Sequence, residues 1–123
     1  MWGGSMVLRN PSPKEFMLLE FLVGEADLSE ASEAILESLK VADIDDGGMG
    51  SLRLFPKGSD DRTERIGKRA STCQFTDEDG VEVMASLNLD KHGNLYELDM
   101  WKADFGKLIR IPDDRNLLRR EEK

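Results

Sequence analysis

Val81-Glu82-Val83-Met84-Ala85-Ser86-Leu87-Asn88-Leu89-Asp90-Lys91-His92-Gly93-Asn94-Leu95-Tyr96-Glu97-Leu98-Asp99-Met100-Trp101-Lys102 decides the fold. Val81, Val83, Ala85, Leu87 and Leu89 share one side of an extended chain, and Glu82, Met84, Ser86 and Asn88 share the other. That period of two is the mark of a strand. Asp90-Lys91-His92-Gly93 reads as a hairpin turn, with Gly93 supplying the left-handed backbone such loops need. The alternation resumes from Asn94 to Lys102. It places Tyr96, Leu98 and Met100 on one face and Leu95, Glu97, Asp99 and Trp101 on the other.

The same period continues upstream. Asp77-Glu78-Asp79-Gly80 is a turn preceded by a candidate strand, Arg69 to Thr76, with Cys73 and Phe75 inward. Val41 to Ile44 and Gly50 to Phe55 are short strands around an Asp-Gly-Gly turn. Between these strands, Pro56 to Arg65 is polar and reads as a mobile loop. Downstream, Leu108 to Ile111 is expected as a last strand before Pro112. The tail from Asp113 is charged, with fraying expected from Arg119.

Helical signals are confined to the first third of the chain. Ser12-Pro13-Lys14-Glu15 combines a capping serine, a proline at the first helical position and a glutamate three residues after the serine. The run Phe16 to Val23 is apolar around most of a helix and calls for burial on several sides. Gly24 is placed to end it. A second helix is expected from Ser29, because Leu28, Ala31, Ile35 and Leu39 recur at helical spacing while Glu30, Glu33 and Glu37 line the other face.

Together these elements predict an α+β fold: two N-terminal helices packed on an antiparallel, hairpin-rich sheet of about five or six strands. The expected organisation is a disordered or cloning-derived N-terminus over residues 1–11, a single α+β domain over 12–112, and a charged C-terminal tail over 113–123. The 123 residues suffice for one core.

Composition excludes several functions. The formal charge of −8 disfavours a phosphate backbone or an anionic membrane surface, and no apolar run is long enough to span a bilayer. The same charge suits a basic protein partner, and it equally serves plain solubility. Cys73 is the only cysteine and His92 the only histidine, so a cysteine-based zinc site and an intrachain disulfide are excluded and a Cys-His dyad is disfavoured. Cys73, in phase with Phe75, reads as a core residue. No cofactor is implied, and the expected compartment is the cytoplasm.

Two blocks stand out: Asp45-Asp46-Gly47-Gly48-Met49-Gly50-Ser51-Leu52, and Glu97-Leu98-Asp99-Met100-Trp101-Lys102-Ala103-Asp104-Phe105. In the first, Asp43, Asp45 and Asp46 offer hard oxygen ligands to a divalent cation, but aspartates that begin turns and glycines that complete them explain it better. Asn88, Asp90, His92, Gly93 and Asp99 match places in a helix–loop–helix calcium loop, yet their flanks alternate as strands, so a hairpin is expected and no metal site. Neither a serine elbow around Ser51 nor a phosphate loop at Gly47 to Gly50 is present. In the second block Glu97, Asp99 and Trp101 share one face. Such an acidic, aromatic strip suits recognition of a basic protein, unless Lys102, Arg53 or Arg69 neutralises the acids and Trp101 is core.

The chain resembles an uncharacterised bacterial domain family of about this length. The resemblance rests on Asp46-Gly47-Gly48-Met49-Gly50-Ser51-Leu52, Asp79-Gly80-Val81, Leu87-Asn88-Leu89-Asp90 and the Glu97 to Phe105 block. It covers roughly Pro13 to Pro112 and implies a fold without an activity, so no catalytic residue follows from it. The Leu-Asn-Leu-Asp hairpin leading to Glu97-Leu98-Asp99 is also similar to strand patterns in small acidic immunity proteins of bacterial toxin systems. The expectation is therefore a non-enzymatic protein-binding domain, of immunity-inhibitor type, using Asp45, Asp46, Glu97, Asp99, Trp101 and Asp104. The alternatives are a small hydrolase or metal-dependent enzyme built on Asp43, Asp45, Asp46, Glu97 or Asp99, and a homodimer that buries the Trp101 face.

Overall fold

The computed structural model describes residues 7–28, 35–56 and 66–120. Its first element is α1, Pro13–Glu25. The Ser12 hydroxyl accepts the Glu15 N–H (3.1 Å) while the Glu15 carboxylate accepts the Ser12 N–H (2.8 Å), which completes the capping box read from the sequence. Gly24 does not end the helix. It lies inside the last turn, and the left-handed residue is Asp27 (φ +55), whose N–H reaches the Gly24 carbonyl. A short polar side chain tolerates that conformation well enough to replace glycine.

The strands are β1 (Lys40–Asp43), β2 (Leu52–Phe55), β3 (Ile66–Thr76), β4 (Glu82–Asp90), β5 (Leu95–Lys102) and β6 (Arg119–Arg120). They form one antiparallel six-stranded sheet in the order β1-β2-β5-β4-β3-β6. The fold is thus α+β. Leu18, Leu19, Leu22 and Val23 of α1 share one core with Leu52, Leu54, Cys73, Phe75, Val83, Ala85, Leu87, Leu98 and Met100. The Ser71 hydroxyl of β3 donates to the Leu22 carbonyl of α1 (2.7 Å). Ile35, Leu36 and Glu37 are helical and Leu36 is buried, while the expected start of that second helix at Ser29 lies outside the described residues. Residues 57–65, most of the expected polar loop, and Met1 to Met6 also lie outside them.

The β4–β5 hairpin turns where the sequence places it. The Asp90 carboxylate accepts the N–H groups of His92 (2.8 Å) and Asn94 (3.0 Å), and Gly93 has φ +83. Its flanks are strands, the geometry that excludes the helix–loop–helix calcium match. One face assignment changes. The register passes from Asn88↔Glu97 to Leu89↔Leu95, so Tyr96 is an extra residue that shifts the phase. Leu95 therefore joins the core, and Tyr96 lies beneath Arg53 of β2, whose neighbours Leu52 and Leu54 point the other way.

The termini differ from expectation. Arg9 bridges Val41 through two backbone hydrogen bonds (both 2.8 Å), and its guanidinium holds both Glu15 (2.7 Å) and Asp43 (2.8 Å). Arg9 and Asn10 are thus tied to the sheet edge, Asn10 by its side-chain oxygen accepting from Lys40. Leu108 to Ile111 is not a strand. The last strand is instead Arg119–Arg120, paired with Cys73 and Gln74, where fraying was expected.

Candidate functional site

The glycine-rich block is a turn that closes on itself. One oxygen of Asp46 accepts the Met49 N–H (3.0 Å) and the other the Ser51 N–H (3.0 Å). Burial opposes the charge on Asp46, but the hydrogen bonds from Ser51 and Met49 prevail and hold its carboxyl below the usual aspartate range. Gly50 (φ +97) passes so close to the following segment that a Cβ would lie 2.8 Å from Leu108 Cδ2. The Gly48 carbonyl accepts the Leu108 N–H (2.9 Å). Ser51 then joins the turn to β5, accepting the Met100 N–H through its buried hydroxyl (2.9 Å). Asp45 is exposed beside this turn.

That following segment, residues 106–111, is an irregular strap held by a buried ion pair. Lys102 alternates with Trp101 and so points to the core side, where only 1% of it is exposed. Its three ammonium protons meet three acceptors: Asp77 (2.9 Å), Asp79 (2.6 Å) and the Lys107 carbonyl (2.9 Å). Asp77, also buried, accepts four bonds, from Lys102 and from the N–H groups of Glu78 (2.7 Å), Ile109 (2.8 Å) and Arg110 (3.1 Å). Burial works against its charge, and the Ile109, Lys102, Glu78 and Arg110 bonds overcome it, so the carboxyl is held low. The Asp79 carboxyl is held low chiefly by Lys102. A carboxylate with every acceptor position filled has no capacity left for a substrate or metal. Lys102, one of three cations considered for neutralising the acids of the outer strip, is delivered by strand alternation to Asp77 and Asp79 instead.

The opposite face of β5 carries the strip. Glu97 is half-buried and accepts the Asn88 amide (3.3 Å), Asp99 is exposed, and Trp101 is 45% exposed. Trp101 is therefore not core. Phe105, 69% exposed, meets it edge to face, with centroids 5.7 Å apart and planes at 76°. The Phe105 backbone is left-handed (φ +61), its N–H bonded to the Lys102 carbonyl. Asp104 is exposed, and its carboxylate accepts the Gly106 N–H (2.8 Å). Asp99 and Trp101 share the outer face of β5 and Asp104 lies in the turn that follows it, while both oxygens of Asp46 are occupied within their own turn. Phe105 is not among the residues expected at the site, although it closes the Glu97 to Phe105 stretch. Only its backbone conformation singles it out, and a sequence does not display that.

The remaining nucleophile is inert. Cys73 is buried, and burial, with Glu25 nearby, pushes its thiol up to about 12. Among the described residues no group of three or more His, Cys, Asp and Glu side chains is arranged to hold a metal, and no helix is long and apolar enough to cross a membrane.

The profile of a domain of unknown function, DUF6984, matches residues 8–112. The chain belongs to this family. The matched span begins at the Arg9 bridge and ends after the strap, so it takes in the glycine turn, the Lys102 ion pair and the aromatic pair together. Comparison with curated proteins and with solved structures finds no match.

Proposed function

We propose that this family member is a non-enzymatic protein-binding domain that receives a basic partner at the Trp101 end of the sheet. The observation that carries the reading is Phe105: a bulky ring held at φ +61 and left 69% exposed against a half-exposed tryptophan. A left-handed backbone is costly for such a residue and adds no burial, which points to a role in presentation. Aromatic anchors on the strand face that carries Glu97 and Asp99, followed by Asp104 in the next turn, on a chain of net charge −8, suit a cationic protein surface. An immunity-type inhibitor in the cytoplasm is the form of binder we favour. Asp45 and Asp46 contribute to its negative field from the neighbouring turn.

Acid–base catalysis at Asp43 or Asp46 has less support. Work of that kind uses a carboxyl raised toward neutrality, and both Asp43 and Asp46 are displaced downward. The test is affinity capture from lysate with the intact chain and with a Trp101→Ala, Phe105→Asn variant, each shown to be folded by circular dichroism. A protein retained by the first and lost by the second is expected. Identical captures refute the proposal.

A further inference from the structure

The outer face of β5 already binds one arginine. Arg53 reaches across from β2 and lies over the Tyr96 ring, its guanidinium carbon 4.6 Å from the centroid, and Glu97 is its register partner in the β2–β5 ladder. An aromatic ring, an acid beside it and a planar cation on the ring make up this arrangement.

Farther along the same face the first two parts recur without the third. Trp101 supplies the ring and Asp99 the acid. Register places Met84 opposite Trp101 and Ser86 opposite Asp99, both uncharged. The β2–β5 ladder stops at Leu52↔Leu98, so it supplies no arginine this far along. Lys102 is turned inward to Asp77 and Asp79. Among the described residues neither Asp99 nor Asp104 forms an ion pair, and Phe105 stands as a second aromatic wall at 76° to the indole.

We infer that an arginine side chain of the partner docks here, its guanidinium over the Trp101 indole and its N–H fork directed to Asp99 and Asp104. The inference rests on the reading of this face as a protein-binding surface and narrows the partner to one with a protruding arginine. Lysine fits less well. Its compact, strongly hydrated ammonium neither stacks flat nor bridges two carboxylate oxygens, whereas a guanidinium does both.

The test uses the full chain carrying Trp2→Phe, which leaves Trp101 as the only indole. Two short peptides of equal length and charge, one alternating glycine with arginine and one glycine with lysine, are titrated while the Trp101 indole N–H resonance is followed. The arginine peptide should move that resonance and bind at least about threefold more tightly than the lysine peptide. Trp101→Leu should abolish the preference, and Asp99→Asn with Asp104→Asn should weaken arginine binding severalfold. Equal affinities, or arginine binding that leaves the indole unmoved, overturn the inference. So does a sedimentation dimer that Trp101→Leu dissociates, because a second copy would then occupy the face. Equal affinities with the indole moved leave the protein-binding reading standing, whereas identical lysate captures remove that reading and not the peptide result.

Discussion

Substituting Phe105 separates strain from contact. At φ +61 an ordinary side chain costs about 1–2 kcal/mol relative to right-handed backbone, and asparagine relieves much of this through its own local hydrogen bonds. The edge contact with Trp101 is worth about 0.5–1.5 kcal/mol in a buried pair. With 69% of Phe105 in water, its value here falls at the low end. Phe105→Asn thus loses and gains amounts that nearly cancel, and stability should stay within about 1 kcal/mol of the parent. Phe105→Gly removes the strain entirely but gives the unfolded chain more freedom, worth about 0.5–1 kcal/mol, so it too should be near neutral. Phe105→Ala loses the contact and keeps the strain, placing it about 1 kcal/mol below asparagine. Urea unfolding resolves such a gap, which corresponds to roughly 3–5 °C in Tm for a chain of this size. All three variants should lose partner capture alike. Alanine as stable as asparagine and glycine would refute the argument, since the left-handed backbone would then hold no strain.

Three further outcomes are expected. Gly50→Ala, which puts a methyl group 2.8 Å from Leu108 Cδ2 at φ +97, should cost about 1–3 kcal/mol; Gly47→Ala, at φ +80 with nothing within 4 Å, should cost less in the same urea titration. Ser51→Ala strips the buried Met100 N–H of its acceptor and should destabilise by about 1–3 kcal/mol, with a neutral result contradicting the bridge between the turn and β5. The Asp77 carboxyl is lowered in the folded state, so its contribution is fully present above the ordinary aspartate pKa of about 3.9 and is lost as pH falls through the folded value. Thermal unfolding should show Asp77→Asn far less stable than the parent near neutrality, with the gap narrowing on acidification below about pH 4; a gap that widens would reverse the assigned direction.

Local signals carried far in this chain. The Ser12 to Glu15 cap, the β4–β5 hairpin and the inward Cys73 and Phe75 all depend on neighbours within a few residues, so sequence periodicity displays them. Leu108 to Ile111 looked like a strand because it is apolar and extended. Its N–H groups instead find the Asp77 carboxylate, a partner more than thirty positions away that no period reveals. The two-residue β6 was hidden for the same reason, its pairing with Cys73 and Gln74 being long-range and its own sequence merely basic. Leu95 and Tyr96 changed faces because one added residue shifts the phase on one side of it, leaving the alternation from Glu97 onward as the sequence displays it. At the candidate site strand alternation put Trp101 on the face of Glu97 and Asp99, but whether that face was covered did not follow from it. The conformation of Phe105 did not follow from anything in its neighbourhood.

The Asp77 ion pair also bears on how the protein is made. During synthesis Asp77 leaves the ribosome well before the Lys102 ammonium that neutralises it and the Ile109 and Arg110 N–H groups that complete its hydrogen bonds. Until then a carboxylate meant for the interior has the Glu78 N–H and water to satisfy it, and burying that corner between β3 and β4 carries the cost of an unpaired charge. A nascent chain halted before residue 107 would present protease-sensitive strands rather than a nearly native sheet.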